Sequence, residues 1–289
     1  MAGAARSTIV AARATIAAIG LVHRLRPRVV LSVGGYAAGP VALAALLRGV
    51  PLAVLEPNCI VGLANRLVSP FAKRAYVAWD EAARFFRASA RRGYGVPLRR
   101  GFVPCPYAPG GTARLLIMGG SQGSAALNDR VPEAVARVRR TLPGLGVVHQ
   151  AGRGRDAAVL DAYAREGVDD VVVVPFLDDV ARALAEADLV VARAGAGTIA
   201  EITAIGRAAI LVPFPHAADD HQGRNAEALA RAGAAVCLRQ DAADAARLSS
   251  EIERLLGDSS VLTAMAEASG ARGKPNVARD VGVGVLWGA

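Results

Sequence analysis

Short aliphatic runs alternate with Ala/Leu/Arg-rich stretches of helical length almost from end to end, and this alternation constrains the fold of the 289-residue chain more than any other feature. RVVLSV (28–33), PLAVLE (51–56) and AYVAW (75–79) come first, with helical stretches at 41–47 and from about Leu63 to Phe71 between them. The pattern restarts at ARLLIM (113–118) and runs on through GVVHQ (146–150), VVVVPF (171–176), DLVVARA (188–194) and AAILVPF (208–214). Strands alternating with helices imply parallel sheets with helices on their faces, because a parallel neighbour is reached only by a crossover. The interruption at 93–113, GYGVPLRRGFVPCPYAPGGTA, carries four prolines and five glycines and reads as a linker. The expected fold class is therefore α/β, with two Rossmann-like doubly wound domains and a ligand cleft between them. Only three strands precede the linker, fewer than such a sheet normally has, so the first domain reads as truncated.

Composition narrows the function classes. The net charge is +9, and the basic residues are almost all arginine, with lysine only at Lys73 and Lys274. A basic balance suits a nucleic acid, an anionic bilayer or a phosphorylated ligand. Nucleic acid fits least, since the arginines are scattered, aromatics for base stacking are few and no zinc-finger spacing occurs. Cys59, Cys105 and Cys237 are odd in number and far apart, which fits a reducing cytoplasm and neither a disulfide framework nor a structural zinc site. No apolar run reaches the roughly 20 residues of a membrane-spanning helix. On a helical projection of the first 25 residues, Arg6, Arg13 and Arg24 form one stripe, and Ile9, Ala12, Ile16 and Ile19 gather on an adjacent face. Such a helix can lie on an anionic bilayer, or simply pack on a surface with its arginines solvated.

Four loops stand at the carboxyl ends of expected strands. IMGGSQGSAALND (117–129) places three glycines and two serines between a strand and a helix, yet matches neither common nucleotide motif. SVGGYAAGP (32–40) leads to a helix expected to begin at Pro40. LEPNCIVGLAN (55–65) puts Glu56 and Asn58 at a strand end, and ARAGAGTIAE (192–201) opens a helix with Gly195, Gly197 and Thr198. Small residues leave backbone N–H groups open, and a helix N-terminus favours an anion. Glu201 is placed to accept bonds from sugar hydroxyls, or merely to stabilise a first turn. PFPHAADDHQGRNA (213–226) gathers His216, Asp219, Asp220, His221 and Gln222, but lacks a further ligand elsewhere, so capping chemistry is expected there and no metal.

VGGYAAGP, MGGSQGSAALN, PFLDD, RAGAGTIAE and PFPHAADDHQGRNA, in this order and spacing, resemble MurG, the bacterial family of peptidoglycan N-acetylglucosaminyltransferases, from about Arg26 to near the C-terminus. The resemblance implies a GT-B fold, an acceptor- and membrane-facing domain at 1–99, a UDP-sugar-binding domain at 100–274 and a last helix within 275–289 packing back on the first domain. It implies inverting transfer from UDP-N-acetylglucosamine to lipid I (undecaprenyl-pyrophosphoryl-N-acetylmuramoyl-pentapeptide), without a cofactor, at the cytoplasmic face of the cell membrane. It assigns Asn58 to the donor sugar, Arg99 to the nucleotide, Ser121 to the donor loop and the Leu177 backbone to the uracil edge. The segment Ala196, Gly197, Thr198, Ile199, Ala200 and Glu201 would wrap the diphosphate and ribose, and Gln222 the hexose hydroxyls. The family's opening strand and G-G-T-G-G-H loop, which carries a candidate base, have no counterpart here. A fragment or misassigned start is the preferred expectation; a short form that binds donor without turnover, or Glu56 acting as general base, are the alternatives.

Overall fold

The computed structural model describes residues 2–287 apart from Tyr36, Tyr94 and Pro109, and only the backbone of residues 2–9 and 283–287. The side chains of Arg6 and Ile9, and Tyr36 of the second glycine loop, thus lie outside the described residues. The chain divides into two compact units, one running to Pro97 and taking up the residues from Asn276 on, the other Leu98–Pro275.

The first unit holds a parallel sheet of β1 (Val30–Ser32), β2 (Leu52–Glu56), β3 (Arg74–Val77) and β4 (Arg91–Gly93), in that order. Every residue of β2 is buried, and the period-2 alternation of its side chains feeds two cores. Leu52 and Val54 pack with Ala42, Val61, Val68 and Phe86. Ala53 and Leu55 pack with Tyr76 against Val277 and Val281 of the helix Val277–Trp287.

Three expectations shift here. The boundary between the units, Pro97 to Leu98, falls inside the stretch read as a linker, but its first residue, Gly93, closes a fourth strand that the sequence did not show. A three-residue edge strand needs only backbone groups, so its Arg-Arg-Gly sequence gave no β signal. The helix Ala38–Leu47 takes Pro40 as its third residue, where the amide would lack an intrahelical acceptor anyway. The helix Ala2–Leu25 packs through Ala18, Ile19 and Val22 on Val41, Ala44 and Val50, and leaves Ile16 70% exposed. The small side chains of Ala18 and Ala44 let the two helices approach there, which rotates the contact stripe away from Ile16.

The second unit is a six-stranded parallel sheet of β5 (Arg114–Met118), β6 (Gly146–Gln150), β7 (Val172–Val174), β8 (Leu189–Ala192), β9 (Ala208–Leu211) and β10 (Val236–Cys237). Its order is β10-β9-β8-β5-β6-β7, the Rossmann order. The chain leaves β5 towards β6 on one side and arrives at β8, the other neighbour of β5, only after β7. Loops following β5 and β8 therefore diverge at the topological switch point, where a ligand crevice forms beyond the strand ends. β8 and β9 are buried throughout, as strands covered on both faces must be.

Candidate active site

The loop after β5 is built by close backbone approach. Gly120 and Gly123 take φ of 82° and 73°, and the Gly123 amide donates to the Gly120 carbonyl at 2.9 Å. Gln150, at the end of β6, donates from Nε2 to the same carbonyl at 2.8 Å. Ser124 then caps the helix Ala125–Val138 by accepting from the Leu127 amide. The cap leaves Ser121 exposed at the tip. Beside it a recess of ≈ 440 Å³ is lined by Ser121, Gln122, Arg153, Arg155 and Phe176. Arg153 and Arg155 were not singled out from sequence, although only Ala151 separates GRGR (152–155) from β6 and a basic pair near a strand end in this fold was a legible signal. Leu177, half-buried, is the next residue after Phe176.

Across the switch point β8 runs into the helix Ala196–Ile205, whose N-cap is Gly195 with no side-chain cap. The amides of Ala196, Gly197 and Thr198 therefore have no intrahelical acceptor and present a partial positive charge. Ile199 is buried beneath them and holds the turn to the core, while Gly197 is exposed. Glu201 is half-buried in the same helix. Burial raises its carboxyl above the ordinary carboxylate range, and the positive charge of Arg99 works against that rise. Arg99 is exposed and lies in the same unit.

The loop after β9 carries Gln222, the second residue of the helix His221–Arg231. Its Oε1 accepts from the Phe214 amide at 3.0 Å, so the side chain bridges the loop and offers mainly its NH2 end to a ligand. Arg193, just after β8, grips the start of that loop by donating to the carbonyls of Val212 and Pro213 and to Gln240 Oε1, with its guanidinium 5.6 Å from the Phe214 ring centre. Among the described residues no three of His, Cys, Asp and Glu gather as ligands for a metal would.

Glu56 and Asn58 lie in the first unit. Glu56 is only 2% exposed. Its Oε1 accepts from the Asn58 amide and from Asn58 Nδ2, and its Oε2 accepts from the Gly62 amide and from Asn65 Nδ2, at 3.0 to 3.3 Å. Asn65 in turn accepts from Ser32 Oγ at 2.8 Å, which ties the ends of β1 and β2 together. Neither Ser32 nor Asn65 was singled out from sequence. Their buried polar character in an apolar stretch became visible only with the fold.

Two Rossmann-like α/β units, one carrying uncapped helix amides and a glycine loop at its switch point, place the fold in the GT-B class. The glycosyltransferase family 28 N-terminal domain matches residues 4–77 and the family 28 C-terminal domain residues 114–281. The chain belongs to glycosyltransferase family 28. It is 54% identical over 268 residues to a UDP-N-acetylglucosamine–N-acetylmuramyl-(pentapeptide) pyrophosphoryl-undecaprenol N-acetylglucosamine transferase of Sorangium cellulosum, covering 92% of this chain and 66% of that one. A transferase of the same name from Pseudomonas fluorescens is 42% identical over 279 residues, 96% of this chain and 77% of its own. The crystal structure of Acinetobacter baumannii MurG superimposes with a TM-score of 0.82 at 33% identity, over 94% of this chain and 77% of that chain. The chain thus spans about two thirds to three quarters of the length of these relatives. A UDP-GlcNAc 2-epimerase from Neisseria meningitidis, TM-score 0.71 at 11% identity, shares the fold alone.

Proposed function

We propose that the protein transfers N-acetylglucosamine from UDP-N-acetylglucosamine to undecaprenyl-pyrophosphoryl-N-acetylmuramoyl-pentapeptide. The observation that carries this reading is the pair of switch-point loops: a glycine loop after β5 and an uncapped helix N-terminus after β8 with Glu201 one turn in. A nucleoside diphosphate sugar needs anion-binding amides, a carboxylate for a diol and amide side chains for hexose hydroxyls. The second unit offers all three in the amides of 196–198, in Glu201 and in Gln222. Ser121, Arg99 and the Leu177 backbone are assigned the remaining nucleotide contacts, and Asn58 the donor sugar. In the reaction the acceptor hydroxyl attacks the anomeric carbon from the face opposite the diphosphate, with inversion. Its proton goes to a base, and UDP leaves with its charge stabilised by the helix amides. Glu56, the sequence-based nominee for that base, is assigned to holding the Asn58 loop, because four donors already fill its two oxygens.

The test is transfer of labelled N-acetylglucosamine to a soluble lipid I analogue, with donor binding measured in the same samples. Saturable binding of UDP-N-acetylglucosamine and transfer of the labelled sugar to the analogue are the expected results. A protein that bound neither UDP nor the nucleotide sugar would sink the reading.

We also propose that the protein works peripherally on the cytoplasmic membrane face through its first helix. Val10, Ile16 and Leu25 are exposed on that helix beside the exposed Arg13 and Arg24. No described helix is long and apolar enough to cross a membrane. Co-sedimentation with phosphatidylglycerol vesicles should fall several-fold for Ile16→Glu and weaken with salt, while neutral vesicles retain little protein. Equal binding of the variant and the parent would remove this role from the helix.

A further inference from the structure

The turn that leads into Gln222 is strained. Asp219 and Asp220 are consecutive non-glycine residues in the left-handed region, at φ 52° for both and ψ 24° and 31°. Aspartate tolerates that region better than most non-glycine residues, but two in succession keep it only where the surroundings hold them. Asp220, beside the Gly223 backbone, is gripped by Arg239, just beyond β10. Its Nη1 donates to both carboxylate oxygens of Asp220 at 2.8 and 2.9 Å, and its Nη2 donates to Glu227, inside the helix that Gln222 begins. The guanidinium lies directly over Gly223. A Cβ built there would sit 2.2 Å from Arg239 Nη1 and 2.4 Å from Asp220 Oδ1. The next residue, Gln240, accepts from Arg193 and from Arg130 through its side chain and its carbonyl. One short segment thus braces both ends of the loop, Arg193 at Val212–Phe214 and Asp220 before Gln222.

We infer that Arg239 is a positioning residue for the donor: by pinning the strained Asp219–Asp220 turn it sets the place of Gln222 and so recognition of the hexose of a nucleotide sugar. The inference rests on the reading that Gln222 meets the sugar hydroxyls. It assigns Arg239 no contact with the ligand. The clamp is half-exposed, so it adds little to global stability. Its contribution is local, in choosing one conformation of a turn that is costly to hold.

Gly223→Ala separates positioning from folding. The added methyl meets the guanidinium tip of Arg239 and the Asp220 carboxylate, two side-chain ends that can turn away from it and from each other, and alanine is the better helix residue. The variant therefore keeps or gains thermal stability while losing the clamp. Calorimetric titration with UDP-N-acetylglucosamine and with UDP should show Arg239→Ala and Gly223→Ala weakening the nucleotide sugar roughly three- to tenfold, the scale of one misplaced hydrogen bond. UDP, which carries no hexose, should bind within about twofold of the parent. Arg239→Lys, with a single point donor in place of the fork, should fall between. Gln222→Ala serves as the reference. If it weakens the nucleotide sugar and neither clamp variant does, the positioning role is wrong. If it leaves the nucleotide sugar unchanged, the hexose assignment fails and takes the inference with it. Equal losses for UDP and the nucleotide sugar in the clamp variants would mean general damage to the unit and also overturn it.

Discussion

Gly123→Ala is expected to destabilise the second unit by about 4 kcal/mol, combining overpacking against fixed backbone with a left-handed residue that alanine resists. A Cβ on Gly123 would lie 2.1 Å from the Ala151 carbonyl oxygen, 2.8 Å from its carbon and 2.9 Å from Gly152 Cα. These are main-chain atoms after β6, and they have no rotamer into which to retreat. The approach is mutual, since a Cβ on Gly152 would meet the Gln122 carbonyl at 2.7 Å, and one on Gly119 would meet the Ser124 amide at 2.4 Å. Two loops at the carboxyl end of the sheet are pressed together so that only backbone separates them, and Ser121 and the arginines of 153–155 are presented around that contact. For a unit of this size the midpoint of thermal unfolding, followed by circular dichroism, should drop by roughly 10 °C, with donor binding lost alongside. Ser121→Ala is the contrasting case. Its side chain is exposed, so stability should stay within about 0.5 kcal/mol while donor affinity falls. A Gly123→Ala protein melting within two or three degrees of the parent would show that the loop opens easily, and the glycines would then have no claim to shaping a cradle.

How much of this was legible beforehand depended on the kind of signal. β8 and β9, and the apolar stretches 52–55 of β2 and 115–118 of β5, are buried on both faces, and such runs announce themselves. β4 and β10 are three and two residues long at sheet edges, and Arg-Arg-Gly or Val-Cys has no pattern to read. The glycine loops could be placed at strand ends from order alone, because only glycine tolerates what Gly120 and Gly123 do. Ser121, the 196–201 segment and Glu201 do fall around the switch point of one sheet. Arg239 stood outside any motif: its role depends on the φ of two aspartates about twenty residues earlier, and backbone strain leaves no mark in composition. Glu56 is the opposite case. A lone carboxylate at a strand end suggests a base, and only the hydrogen-bond geometry shows how fully it is engaged.

That engagement yields the second large effect. Glu56→Gln is expected to destabilise the first unit by about 1–3 kcal/mol, despite near-identical shape. Each carboxylate oxygen of Glu56 receives two N–H donors, from Asn58 on one side and from Gly62 and Asn65 on the other. A glutamine has one acceptor oxygen and an NH2 group, so in either orientation its NH2 faces two N–H groups in a buried place. Asn65 cannot turn to help, because its Nδ2 also donates to the Leu55 carbonyl and its oxygen accepts from Ser32. The 57–62 loop should loosen, seen as faster hydrogen exchange there and earlier unfolding of the first unit, and Glu56→Ala should do the same more severely. The loss of transfer activity should reach about one to two orders of magnitude, arriving through Asn58. The pH dependence separates the two roles. A general base must be deprotonated to act, so removing it abolishes the acidic limb of the kcat/KM profile. A carboxylate that only organises the loop can be replaced with the rate lowered and the limb left where it was, because the group that titrates is another. Persistence of the limb in Glu56→Gln is the expected result; its disappearance, with the fold intact, would return Glu56 to the role of base.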